Sequence, residues 1–319
     1  SNKNSFTKKK CFNLPTTKKI KMRKKIKGIA PMIYCFFNKE NKIDSKLIIE
    51  QVNMINSMGV HGIACLGLGT EVNKLSFKEK VNIIEIVSKF KKKNMYLAIT
   101  ISGEKYSDQL KLIKVANAHN ADWLILQPPS GKKLTEIECY NFFEKIINKV
   151  NRKTFVGIQN APEYLKSSLS TKSVLKLYKK FENFRIIKGE GSAKVLKKII
   201  SEYPSDLKVF NGRCGLEIID SLKAGCEGIM PSVEFTDLLL EIYKLFKSKN
   251  NKLAYKKYHK IKPYIKFVIK DIPTFICYGK RIYSHRLSLK KIYDRKPNLS
   301  PSFYGIKKSK FISNKLGCF

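Results

Sequence analysis

A chain of 319 residues with 43% hydrophobic content can bury one large core or two ordinary ones. Its 64 Lys and Arg against 25 Asp and Glu give a net charge of +39, yet the cations are overwhelmingly Lys and are spread over every predicted helix. That pattern is a solvated surface and excludes the clustered Arg with aromatic platforms of specific nucleic-acid readout.

The N-terminal stretch, residues 1–26, is basic, polar and aperiodic. It reads as a disordered tail without the apolar segment of a secretory signal; a transit peptide is the weaker reading because Lys rather than Arg dominates, and Met22 offers an alternative start. Eight apolar runs follow, at 28–33, 60–66, 95–101, 122–127, 154–159, 185–188, 207–210 and 227–230. Between them lie amphipathic patterns at 44–57, 76–93, 107–119, 135–149, 171–181, 191–202, 214–224 and 235–248. Three stretches, NSMGVHGIACLGLG (56–69), NAHNADWLILQPP (117–129) and LKAGCEGIMPS (222–232), repeat one unit. Each is a helix, a turn at Gly or Asn, and a strand apolar on both faces. Strands of that kind alternating with helices pack as a parallel sheet.

Eight such pairs between 27 and 250 predict a (β/α)8 TIM barrel. The competing open, doubly wound sheet would carry a glycine-rich phosphate turn after its first strand, and YCFFNKENKID has none. Residues 251–319 read as a C-terminal extension with helices at 252–268 and about 271–292, packed outside the barrel or against another subunit. The final KPNLSPSFYGIKKSKFISNKLGCF reads as irregular.

No apolar stretch is long enough to span a membrane. The eight cysteines form no C-x-x-C pair and have no His at zinc-like spacing, so they read as reduced thiols of a cytoplasmic protein with neither metal nor cofactor. The four histidines precede strands (His61, His119) or lie in the extension (His259, His285), away from the end of a barrel where catalysis occurs.

Chemistry is expected at the C-terminal ends of the strands. Gly67, Gly69, Thr70 and Glu71 follow strand two, Gln127 and Pro128 strand four, Gln159 and Asn160 strand five. Lys188 and Glu190 end strand six in FRIIKGEGSAK, and Asn211, Gly212 and Arg213 end strand seven. Lys188 is the only lysine among these strand ends. Desolvation disfavours a charged ammonium and enlarges its neutral, nucleophilic fraction, so a lysine there can form an imine with a carbonyl. The bland alternative is a lysine paired with Glu190 or reaching to the rim. Arg213 reads either as a clamp on a substrate carboxylate or as a rim ion-pair residue.

The ordered motifs carry a resemblance. G-L-G-T-E-V-N-K-L-S (67–76), the double proline at 128–129, Q-N-A-P (159–162) and I-I-K-G-E (186–190) resemble the dihydrodipicolinate synthase and N-acetylneuraminate lyase family over residues 27–270. These are class I, Schiff-base-forming lyases and aldolases on a (β/α)8 barrel. The resemblance puts Lys188 at the imine-forming position, with Gln159, Thr70, Gly69, Gly212 and Arg213 around the substrate. Glu71 falls on the family's acidic residue and is expected to tie down its loop. The resemblance also implies pyruvate or another 2-oxo acid, or a related sugar acid, as substrate and a homotetramer or dimer as assembly.

Three positions depart from it. Leu68 and Gly69 stand where pyruvate-specific members hold the carboxylate with paired threonines, Gln159 replaces the proton-relaying tyrosine, and Ser130 and Gly131 follow the double proline where some members place a second tyrosine. An amide orients a substrate but is no general acid of useful pKa. The same imine could therefore serve dehydration of a deoxy-sugar acid, or the barrel could bind a ligand without catalysis.

Overall fold

The computed structural model describes residues 24–161, 165–289 and 291–319. The expectations for the N-terminal tail up to residue 23, for Met22 and Cys11, and for Pro162 of the Q-N-A-P motif lie outside the described residues.

Eight parallel strands form one sheet in the order β1-β8-β7-β6-β5-β4-β3-β2. They are β1 (Gly28–Ile29), β2 (Gly62–Cys65), β3 (Tyr96–Ile101), β4 (Trp123–Leu126), β5 (Phe155–Asn160), β6 (Ile186–Gly189), β7 (Lys208–Asn211) and β8 (Gly228–Ile229). Helices α1 (Ser45–Met58), α2 (Phe77–Phe90), α3 (Tyr106–Ala118), α4 (Glu136–Ile147), α5 (Thr171–Lys180), α6 (Ala193–Glu202), α7 (Ile218–Lys223) and α8 (Thr236–Lys247) follow the strands in turn. This is the expected (β/α)8 barrel. β1 is short because Pro31 supplies no N–H; past it, Met32 bridges to both Ala64 and Ser232 and closes the ring. Helix starts are fixed locally: Ser76 with Glu79 and Thr135 with Glu138 form reciprocal capping boxes on α2 and α4, each cap contributing about 1 kcal/mol.

Strand alternation divides the core in two. Leu97, Ile99, Leu124 and Leu126 point outward to the helices. Tyr96, Ala98, Trp123, Ile125, Ile186 and Phe210 point inward and fill the lower lumen, with the Trp123 and Phe210 rings 5.1 Å apart. Gly157 on β5 lets this layer close, since a Cβ there would lie 1.4 Å from the Ile186 carbonyl oxygen. Continuing the same parity toward the C-terminal mouth puts Gln127, Gln159, Lys188 and Ser232 on the lumen side, so the interior passes from apolar to polar as it rises.

The extension begins with α9 (Asn251–Val268) and continues through α10 (Ile272–Thr274), a π-helical turn at Phe275–Gly279 and α11 (Lys280–Arg286). It does more than cover the outside: Ile269, Ile272 and Phe275 reach the strand mouth. The end of the chain, expected to be irregular, forms α12 (Phe303–Leu316). Its buried face is Gly305, Ser309, Ile312 and Ser313, while Phe303 and Tyr304 are 74% and 68% exposed. Small and polar residues make the contact, so apolar periodicity could not report the helix. Among the described residues no helix is long and apolar enough to cross a membrane, and all seven cysteines are free thiols.

Candidate active site

A cavity of about 120 Å³ opens at the C-terminal mouth of the barrel. Its floor and strand side are Lys188, Glu190, Gly212, Arg213, Cys214 and Ser232; Met32, Leu68, Gly69 and Met230 add an apolar wall. Ile269, Lys270, Asp271, Ile272 and Phe275 close it from the extension.

Lys188, 6% exposed, is held against this cavity. Its Nζ lies 2.7 Å from Glu190 Oε1, so the lysine is ion-paired and at the same time lines an open volume. The pairing follows from strand parity, because residues two apart share a face and Gly189 separates the pair. Glu190 is fixed from two further sides. The Arg213 N–H donates to Oε2 at 3.0 Å, and the Gln159 amide lies 3.4 Å from Oε1. Gly212 makes room, since a Cβ there would come within 2.4 Å of both carboxylate oxygens.

Gln159 does not line the cavity. It is 2% exposed, accepts from the Gln127 amide at 2.7 Å and reaches the cavity through Glu190. Thr70 is fully buried; its hydroxyl donates to the Ile33 carbonyl at 2.8 Å and its N–H to Gly67 at 3.1 Å. Thr70 is not among the residues that line the cavity, and its hydroxyl ties the β2 turn to the β1 region. Gly69 and Gly212 line the cavity.

Arg213 also lines it, and its Nε is buried without a hydrogen-bond partner, while Nη1 is 3.4 Å from Glu217. Arg213 and Cys214 have φ of 51° and 53°, and Gly215 follows at 80°. Left-handed backbone at two non-glycine residues costs about 1–2 kcal/mol each. Such strain marks a segment whose conformation is imposed by what it holds, here the Arg213 N–H aimed at Glu190.

Glu71 does tie down its loop. Its carboxylate meets Lys74 at 2.7 Å and the fully buried Lys280 of α11 at 2.9 Å. Sequence reasoning missed Lys280, and it missed a buried chain behind the cavity wall. Ser232 and Tyr34 both donate to the Glu234 carboxylate at 2.8 Å. Burial pushes the Glu234 carboxyl up to about 7, the hydroxyl donors and Arg286 pulling the other way. Burial likewise holds the Cys214 thiol well above its usual range. Glu234 sits two residues after Ser232, a spacing that on a strand end would have placed both on one face, but the apolar VEF context hid it. Among the described residues no group of three or more His, Cys, Asp or Glu is placed to hold a metal ion.

The chain matches the dihydrodipicolinate synthetase family over residues 25–299. It is 27% identical over 256 residues to the 4-hydroxy-tetrahydrodipicolinate synthase of Karelsulcia muelleri, covering 78% of this chain and 84% of that protein. It is 23% identical over 229 residues to the probable 2-dehydro-3-deoxy-D-pentonate aldolase YjhH of Escherichia coli, covering 70% and 75%. The fold superposes with a TM-score of 0.81, at 18% identity and over 91% of this chain and 98% of the other, on YagE, an E. coli prophage protein of the dihydrodipicolinic acid synthase family solved in complex with pyruvate. With the barrel, the strand-six lysine and a match over most of its length, this chain belongs to the dihydrodipicolinate synthetase family of lyases and aldolases.

Proposed function

We propose that this protein is a Schiff-base-forming lyase or aldolase acting on a small 2-oxo acid, with Lys188 as the imine-forming residue. The observation that carries this reading is a nearly buried primary amine at the end of β6, beside the cavity at the barrel mouth. Once its proton has left, the amine attacks the carbonyl carbon, and loss of water leaves an iminium. That cation draws electron density from the neighbouring bond, which allows carbon–carbon cleavage or, in reverse, condensation.

The substrate carboxylate is received by Arg213. Arg213 lines the cavity and, among the described residues, its buried Nε has no partner; an unmet buried donor favours an anionic acceptor. Lys270, exposed at the rim, adds positive charge at the entrance. The apolar wall of Met32, Leu68 and Met230 favours a carbon chain with few hydroxyls close to the reacting carbon. Assembly with further copies belongs to the same reading; it is supported by the aromatic side chains of Phe303 and Tyr304 left exposed on α12.

The test is borohydride reduction in the presence of a panel of 2-oxo acids that includes pyruvate. The wild type is expected to gain the mass of one reduced adduct and Lys188→Arg to gain none. An adduct retained in Lys188→Arg, or no adduct across the panel, contradicts the reading. Product analysis then separates cleavage, condensation and dehydration.

A further inference from the structure

We propose that Glu190 is the proton carrier of this site, a catalytic residue doing the work that the tyrosine missing at Gln159 cannot do. The inference rests on the imine reading and adds to it the group that moves protons.

The geometry leaves few alternatives. Imine chemistry needs a group that takes a proton from the amine, returns it to the departing hydroxyl, and later removes one from the carbon next to the iminium. Among the described residues lining the cavity there is no tyrosine and no histidine. Cys214 is disfavoured because burial holds its thiol protonated. Asp271 uses Oδ1 to cap α10 at the Thr274 N–H, 2.7 Å away. Ser232 already donates to Glu234. Glu190 remains, 2.7 Å from the amine and itself in the cavity wall.

Its placement is built. The single glycine between Lys188 and Glu190 brings the acid to the lumen face, whereas a directly adjacent acid would point away from it. The strained Arg213 turn supplies an N–H to one oxygen, Gln159 stands beside the other, and Gly212 leaves the space. A carboxylate held on both oxygens keeps its aim while the proton comes and goes.

The steps balance. The Lys188 ammonium passes one proton to Glu190, and the amine nitrogen bonds to the carbonyl carbon as the C=O pair moves to oxygen, which takes one of the two protons left on that nitrogen. Glu190 returns its proton to that hydroxyl; water leaves, and the nitrogen lone pair forms the C=N bond. The carboxylate then removes a proton from the adjacent carbon, and the C–H pair becomes the enamine double bond.

The last step gives a test that needs no knowledge of the natural second substrate. Pyruvate or 2-oxobutanoate is incubated with the full-length protein in deuterium oxide, exchange at C3 is followed by NMR, and the adduct is trapped with borohydride in parallel. At long incubation Glu190→Gln is expected to reach the wild-type adduct level, only more slowly, while exchange falls about 100- to 10,000-fold, the range of general acid–base catalysis; Glu190→Asp recovers part of it. A purely structural ion pair would make adduct and exchange fall together. Exchange in Glu190→Gln within about threefold of wild type overturns the assignment and leaves the imine intact. No adduct and no exchange in the wild type overturns the imine reading and this assignment with it. Should the Gln variant fail to fold, the Asp variant decides: lowered exchange with adduct retained supports the carrier, and unchanged exchange overturns it.

Discussion

Lys188 and Lys280 are both lysines removed from solvent, and each lies within 2.9 Å of a glutamate: Glu190 in one case, Glu71 in the other. Lys280 has no exposed surface, sits 5.5 and 5.3 Å from the Phe36 and Phe37 ring centroids, has Asp294 at 3.9 Å, and shares Glu71 with Lys74. Among the described residues Lys188 has one carboxylate partner, and a cavity lies on its open side. Burial and pairing are common to both, so neither makes a site. What differs is access: the Lys188 amine has a cavity beside it, while Lys280 is a bolt between α11 and the barrel.

The comparison is broken most forcefully at Lys280. Lys280→Met leaves Glu71 with Lys74 alone inside the core, and removing one member of a buried pair costs about 3–5 kcal/mol. Urea denaturation should show that loss, while the folded fraction still traps a 2-oxo acid at Lys188. Loss of trapping in protein shown to be folded would mean that the two pairs are not independent.

Glu234 sharpens the contrast from the other side, as a buried carboxyl that relies on hydroxyls. The groups facing it are Tyr34, Ser232, Cys214 and Arg286, whose Nη1 donates to the Glu234 backbone carbonyl. Its pKa of about 7 lies above the ordinary 4.5. Between these values the unfolded chain has lost a proton that the folded protein keeps, so stability falls as pH rises through this window and levels off above it. The expected loss is on the order of 3 kcal/mol. Denaturation of wild type and Glu234→Gln at about pH 5 and about pH 8 reads it: the wild type should lose more stability than the variant. Equal losses would remove Glu234 as the cause.

The mildest change is Gly212→Ala. Its Cβ would push the Glu190 carboxylate, the far end of a flexible side chain, away from Lys188. Deuterium exchange at C3 of pyruvate should fall about 100-fold for a displacement of that order. Stability should drop by no more than about 1 kcal/mol, a modest loss among single substitutions. Unaltered exchange would show that the position of Glu190 is not critical.

The barrel was legible because strands apolar on both faces leave no ambiguity when they recur with helices between them. Lys188 was legible for the opposite reason, as a charge at the end of such a run. The motif position of Thr70 says where the residue lies and not where the hydroxyl turns, and here it turns to Ile33. Glu190 was visible only as a partner, since the parity argument that puts it in the lumen requires knowing that Gly189 continues the strand. Lys280 and Arg286 stand in a lysine- and arginine-rich extension where nothing distinguishes a buried cation from its solvated neighbours; pairing across more than 200 residues with Glu71 is a tertiary fact. The helix α12 escaped because its contact face is Gly305, Ser309 and Ser313 with a single large apolar residue, Ile312.

A crystal structure of the protein soaked with pyruvate addresses the central claim most directly. Continuous density should join Lys188 Nζ to C2 of the ligand, with the carboxylate toward Arg213 and Glu190 left beside the new C=N bond. Pyruvate seated in the cavity without a bond to a lysine that keeps its pair with Glu190, or bonded to any other amine, would contradict the account.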